Sequence, residues 1–174
     1  TLLHDDVVDS SNTRRNNPTA NYIWGNKSSI LVGDFLFSQS FKQMIKTENL
    51  KVLEILANIS AKIAEAEVWQ LELIGNLDIT FDEYISLITA KTANLFSAAC
   101  LCSSILSNAN VKQQNALNNF GLNLGILFQI NDDIRDYFCK SEELGKDPGS
   151  DFFENKITLP VILILNLADA KDLK

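Results

Sequence analysis

From Val111 to Phe138 the sequence runs without a proline, and Leu117, Phe120, Leu124 and Phe128 recur along it at the spacing of one helix face. That period predicts one long helix, ending in Asp132-Asp133-Ile134-Arg135-Asp136. Gly121 and Gly125 weaken it locally, and would let another helix come close. The same period recurs between Lys51 and Ile74, where Leu56, Ile59, Ile63 and Ala66 align while Glu54, Lys62 and Glu65 fall elsewhere. Only seven glycines and three prolines interrupt 174 residues of which 46% are hydrophobic, which disfavours a many-turned β fold. The expected class is all-α, and the length suits a single domain over residues 1–174 with a sizeable core.

Breakers and capping residues place the other elements. Asp5, Asp6 and Asp9 sit on a first helical piece that gives way to a loop at Arg14-Arg15-Asn16-Asn17-Pro18. Ser28 or Ser29 can cap a helix running through about Lys46. Asp78 and Thr80 can cap another that holds Lys91 and Thr92 and continues through Leu106. Cys139 to Lys156 reads as a polar loop, after which Thr158 and Pro160 open a last helix. The chain begins at Thr1 rather than Met and runs straight into acids with no preceding cap, so it reads as a fragment entered mid-helix.

One chemical pattern occurs twice: Asp5-Asp6-Val7-Val8-Asp9 and Asp132-Asp133-Ile134-Arg135-Asp136 both read D-D-x-x-D. Positions i, i+1 and i+4 of a helix bring three acids to one side, where they repel one another and call for a cation. Oxygen donors alone select a hard ion such as Mg²⁺, which keeps few carboxylates and completes its shell with phosphate oxygens and water. Leu2 precedes the first triplet by one helical turn, and Leu124 and Phe128 step by four into the second. Apolar surface below and charge above suit a molecule with a hydrocarbon tail and a polyanionic head. A single triplet is equally a solvated helix face; two triplets, each interrupting an apolar run, are harder to place in solvent alone.

The totals exclude several classes. Twenty-two acidic against 15 basic residues leave a net charge of -7, so no diffuse attraction to nucleic acid or anionic lipid is expected. Three cysteines (Cys100, Cys102, Cys139) and one histidine make neither a disulfide framework nor a zinc quartet, and a reducing cytoplasm is the simplest setting. Leu95 to Leu106 and Ile157 to Ala168 are too short to span a bilayer, and no signal peptide is visible. Arg14, Arg15, Lys91, Lys146 and Lys156 form a basic set suited to diphosphate, although each alone is also an ordinary surface charge. His4 beside the first triplet reads as orienting an aspartate, the cysteines as packing, Phe96 as core, and Trp24 and Trp69 as core or interface.

T-L-L-H-D-D-V-V-D at 1–9 with Arg14-Arg15, G-D-F-L-F-S at 33–38, K-T-A at 91–93, F-Q-I-N-D-D-I-R-D at 128–136 and G-K-D-P-G-S-D-F-F-E-N-K-I-T-L-P at 145–160 resemble, in order, the signatures of the trans-polyprenyl diphosphate synthases. The chain departs from that pattern at Asn16 and Asn155, where Gly is common, and at Asn131, where Val or Ile is common. The resemblance implies an isoprenoid-synthase helical bundle around a deep apolar cavity, with two acid-bearing helices facing each other across it. It implies that Asp5, Asp6, Asp9, Asp132, Asp133 and Asp136 hold Mg²⁺, two or three ions with Mn²⁺ a substitute, bridging an allylic diphosphate. Asp5, Asp9 and Asp132 are the strongest candidates. It assigns Arg14, Lys91, Thr92, Gln129, Lys146 and Lys156 to the allylic diphosphate and Arg15 to isopentenyl diphosphate; Asp34 resembles the pattern without a chemical role.

The implied reaction is ionisation of the allylic diphosphate, attack by the isopentenyl double bond and loss of a proton. Two residues between the paired and the third acid, small Thr1 one turn before Asp5, and small Ala98, Ala99 and Cys100 imply a long all-trans product, octaprenyl for a quinone side chain being the best guess. Geranylgeranyl or farnesyl synthesis, a class I terpene cyclase, and a non-catalytic partner or decayed fragment are the alternatives. The family further suggests a homodimer, without membrane span or nucleic acid, delivering its lipid to a membrane. Its N- and C-terminal helices have no counterpart here, so the isolated chain need not retain activity.

Overall fold

The computed structural model describes residues 1–138 and 149–167. Residues 1–49 gather into one compact unit, and residues 50–138 with 149–167 into another.

In the first unit the chain forms α1 (Leu2–Val8), the strands β1 (Thr13–Arg14) and β2 (Asn17–Pro18), α2 (Ala20–Trp24) and α3 (Asn26–Ile45). Thr1 supplies a cap the sequence reading did not expect: its hydroxyl accepts the His4 N–H at 3.4 Å. The expected loop at Arg14 to Pro18 is a minimal antiparallel hairpin. Both residues of its turn, Arg15 (φ 52°) and Asn16 (φ 62°), are left-handed, as a two-residue hairpin whose twist matches its strands requires. Asn155 (φ 56°) is left-handed too. At Asn16 and Asn155, where the resemblance leads one to expect Gly, Asn therefore meets the same backbone demand at modest cost.

The cap of α3 is Gly25 (φ 82°), not Ser28 or Ser29. Ser29 lies inside the helix, buried, and its hydroxyl donates to the Leu3 carbonyl at 3.0 Å, tying α3 to α1. Trp24 is 68% exposed, so it is not core in this chain.

The second unit comprises α4 (Leu50–Glu72), α5 (Phe81–Ile88), a π turn (Thr89–Ala93), α6 (Asn94–Leu106), α7 (Val111–Phe138), α8 (Ser150–Phe153) and α9 (Leu159–Leu167). Of the two cap candidates Thr80 is used: its hydroxyl accepts the Glu83 N–H at 3.2 Å while the Glu83 carboxylate accepts the Thr80 N–H at 2.8 Å. That reciprocal pair satisfies two donors a helix start leaves unpaired. Ile79, Tyr84, Ile88, Leu159 and Ile162 form the core, with Ile126 and Ile130 of α7 packed against it. Part of the expected loop before α9 is the short helix α8; residues 139–148 lie outside the described residues, Cys139 and Lys146 among them.

The two glycines of α7 make its contact with α6 and the π turn. A Cβ on Gly121 would lie 2.6 Å from the Phe96 carbonyl oxygen, and one on Gly125 would lie 2.5 Å from the Ala93 Cα. Neither obstacle is a movable side-chain tip. The apolar face of α7 turns elsewhere: Leu117, Phe120, Leu124 and Phe128 are between 41% and 58% exposed, and Phe128 meets half-buried Phe96 at 5.3 Å between ring centroids. The run Phe81–Leu106 is long and apolar enough, by length and composition, to cross a membrane, longer than Leu95 to Leu106, the stretch expected to be too short to span. It is packed here against α4 and α7, with Ser97 and Ser104 buried.

Gly125→Ala is expected to destabilise the protein by about 1–3 kcal/mol, the usual penalty for forcing an extra carbon into a packed contact. Chemical denaturation against the parent checks this, and a change below about 0.5 kcal/mol would refute the close approach at Ala93.

Candidate functional site

One hundred degrees of rotation per residue separates neighbouring side chains on a helix, so adjacent acids cannot share one environment. On α1 the middle acid is taken inside: Asp6 is 3% exposed, and the Arg14 Nε–H donates to its Oδ1 at 2.7 Å. Burying a lone carboxylate is costly, and the hairpin that carries Arg14 supplies the compensating charge. Asp5 and Asp9, one turn apart, remain half-buried. The three acids therefore do not point together, as the spacing alone suggested. Arg15 is exposed on the hairpin turn.

His4 does orient an aspartate, but it is Asp34 rather than its neighbour. Its Nε2 lies 3.1 Å from the Ile30 carbonyl oxygen and 3.3 Å from Asp34 Oδ1, and Gly33 leaves the space the ring fills. Asp34 thereby gains the structural role that its sequence context did not reveal.

The second triplet divides similarly. Asp132 is exposed and follows Phe128 by one turn at the end of the open apolar face of α7. Asp133 is 4% exposed; the Tyr84 hydroxyl donates to its Oδ2 at 2.6 Å and the Gln129 side-chain amide to its Oδ1 at 2.7 Å. Gln129 in turn accepts the Thr92 hydroxyl at 2.7 Å. Only this orientation of the Gln129 amide avoids setting oxygen against carboxylate oxygen. Burial first, and the adjacent Asp133 charge second, push the Tyr84 phenol well above the ordinary tyrosine range, so it stays a donor.

Asp136 is fully buried. Ser150 donates its hydroxyl to Oδ1 at 2.9 Å and the Asp151 N–H donates to Oδ2 at 3.0 Å, which fastens α8 to the end of α7. The Lys91 ammonium donates to Gln70 Oε1 at 2.5 Å and to Glu67 at 2.9 Å, both on α4, and Lys156 pairs with Glu154 at 2.6 Å. Thr92 and Gln129, expected at a diphosphate, are thus joined to each other and to Asp133. Sequence reasoning missed Tyr84, Glu67 and Gln70, since none lies in a recognisable motif. Cys100 and Cys102 are unpaired; burial raises the Cys102 thiol, as packing residues require.

Among the described residues, no three Asp, Glu, His or Cys side chains gather closely enough to hold a metal ion by themselves. Mg²⁺ binds through one or two carboxylates and takes phosphate oxygens and water for the rest. Asp5 and Asp9 at one-turn spacing, and exposed Asp132, are all-oxygen donors of that kind.

Residues 1–174 match the polyprenyl synthetase family throughout. The chain is 46% identical over 162 residues to an octaprenyl diphosphate synthase of Escherichia coli, covering 93% of this chain and 50% of that protein. It is similar to the crystal structure of a decaprenyl diphosphate synthase from Rhodobacter capsulatus, with a TM-score of 0.91 and 54% identity over 99% of this chain and 53% of that one. A polyprenyl synthase from Caulobacter crescentus, complexed with calcium and isoprenyl diphosphate, matches with a TM-score of 0.95 and 45% identity over 99% of this chain and 52% of that one. The chain spans about half the length of these relatives, and shares their all-α fold.

Asp136→Ala removes the acceptor for two donors around α8, and the loss of stability expected is about 1–3 kcal/mol. Hydrogen exchange should speed up most over residues 149–153; protection there equal to the parent's would show that the carboxylate does not anchor α8.

Proposed function

The chain belongs to the polyprenyl synthetase family, and from that premise we propose that it carries the allylic-diphosphate machinery of a trans-prenyl chain-elongating transferase. The reaction read for it joins isopentenyl diphosphate head-to-tail to an allylic diphosphate in a 1'-4 condensation. The observation that carries this reading is the retention of both acidic helices within a family match over the whole chain, with Asp132 exposed where the open apolar face of α7 ends.

Asp5 and Asp9 on the first unit, and Asp132 on the second, are each proposed as ligands of Mg²⁺, two or three ions in all, with Mn²⁺ able to substitute. Bound there, the metal would supply positive charge against the charge building on the departing diphosphate. Arg15 and, from their ion pairs, Arg14, Lys91 and Lys156 are the cations within the described residues that would complement it. Leu124 and Phe128 would face the hydrocarbon tail and exclude water from the reacting carbon.

For product length, an octaprenyl chain destined for a quinone is the proposal. It rests on small Thr1 one turn before Asp5 and on the similarity to the octaprenyl enzyme. A homodimer, working in the cytoplasm and passing its lipid to a membrane, is proposed on the family's pattern; unpaired Cys100 and Cys102 suit that compartment.

Incubating the intact protein with labelled isopentenyl diphosphate, farnesyl diphosphate and Mg²⁺ should yield a labelled linear lipid diphosphate near octaprenyl length. Chelation with EDTA should abolish turnover, and Asp132→Ala should lower kcat by about 10²-fold or more. A cyclic hydrocarbon product would defeat the elongation reading, and a farnesyl or geranylgeranyl endpoint would defeat the assigned length.

A further inference from the structure

Asp132 is exposed and Asp133, the next residue, is buried, and two hydrogen bonds to the Asp133 carboxylate come from residues outside the D-D-x-x-D pattern. Tyr84 of α5 is 2% exposed and gives its only hydroxyl proton to Asp133 Oδ2 at 2.6 Å. Gln129, one turn earlier on α7, donates to the other oxygen at 2.7 Å, and Thr92 of the π turn donates to Gln129 at 2.7 Å. Two elements besides α7 thus bear on one carboxylate, α5 directly and the π turn through Gln129.

The π turn explains how two residues of one helical run serve the same neighbour. Eight residues of unbroken α-helix would leave Tyr84 and Thr92 roughly 80° apart around the axis. The wider π turn, Thr89–Ala93, rotates less per residue, which brings Thr92 back toward the line of Tyr84. Lys91, beside Thr92, is correspondingly turned to α4, where it meets Glu67 and Gln70.

Tyr84 from α5, directly, and Thr92 from the π turn, through Gln129, hold the side of α7 that carries Asp133; this fixes the rotation of α7 about its own axis at that point, and so where the preceding side chain emerges. We infer that Tyr84 is a positioning residue for metal-bound diphosphate: through Asp133 it holds Asp132 in the orientation that binding requires. Tyr84 itself touches neither metal nor substrate. Gln129, with Thr92 behind it, is the second arm of the same clamp. The inference rests on the metal-assisted reading given under Proposed function.

The test uses Tyr84→Phe in the intact protein, which keeps the ring in the core and removes only the hydroxyl. Mn²⁺ binding is measured by electron paramagnetic resonance in the presence of inorganic pyrophosphate, with thermal unfolding as the control for folding. The expected result is Mn²⁺ affinity at least fivefold weaker, in a protein that still unfolds cooperatively. An affinity within twofold of the parent's would overturn the inference. Should Tyr84→Phe not fold, Thr92→Val decides: a smaller loss of affinity is expected, and none would overturn the proposal. Isopentenyl incorporation by the parent is followed in parallel. No turnover together with Tyr84-dependent Mn²⁺ affinity would sink the elongation reading and leave the clamp standing. Turnover together with indifference to Tyr84 would do the reverse.

Discussion

Among the described residues three carboxylates, Asp6, Asp133 and Asp136, are buried, and each meets protein donors at hydrogen-bond distance. An ionised carboxylate taken out of water without such partners costs far more than a domain of this size can offset. Much of the local structure around each acidic motif serves this one requirement. The hairpin brings Arg14 back to Asp6, α5 brings Tyr84 to Asp133, and the start of α8 brings Ser150 and the Asp151 amide to Asp136. Asp5 and Asp9 stay half-buried and Asp132 exposed, so these three keep contact with water.

The second organising constraint is backbone proximity. Gly121 and Gly125 let α7 lie against Phe96, Ser97 and Ala93 with no side chain between. That contact occupies one side of α7 and leaves Leu117, Phe120, Leu124 and Phe128 uncovered on another. In an ordinary core helix the large apolar residues would be the buried ones. Here glycines and acids are buried while Leu117, Phe120, Leu124 and Phe128 are open, an inversion of the ordinary pattern. The π turn belongs to the same arrangement, since it sends Lys91 to α4 and Thr92 to α7 from adjacent positions.

Much of this was readable in advance. The helical period located α4 and α7, Thr80 was a correct cap, and the glycine pair on α7 correctly foretold a close helix contact. The cap of α3 was misread because Ser29, a good capping residue by type, is used to reach the Leu3 carbonyl from inside the helix. The role of His4 was half legible: pairing with an aspartate was expected, but chain adjacency favoured Asp5, and the partner that packing supplies is 30 positions away at Asp34. The π turn could not be anticipated, because a one-residue widening leaves no compositional mark.

Motif order and apolar spacing, which are properties of the chain as written, determined the helical class, the family and the two acid triplets. What they could not determine is which member of each acid triplet turns inward. Helix rotation separates the members of a triplet by angle, but inside and outside exist only once another element has packed against one side. Arg14, Tyr84, Gln129 and Ser150 make that choice, and apart from Gln129 each reaches its acid across at least eight residues of chain. Contacts of that kind are decided by how elements meet in space, and no local pattern of residues encodes them.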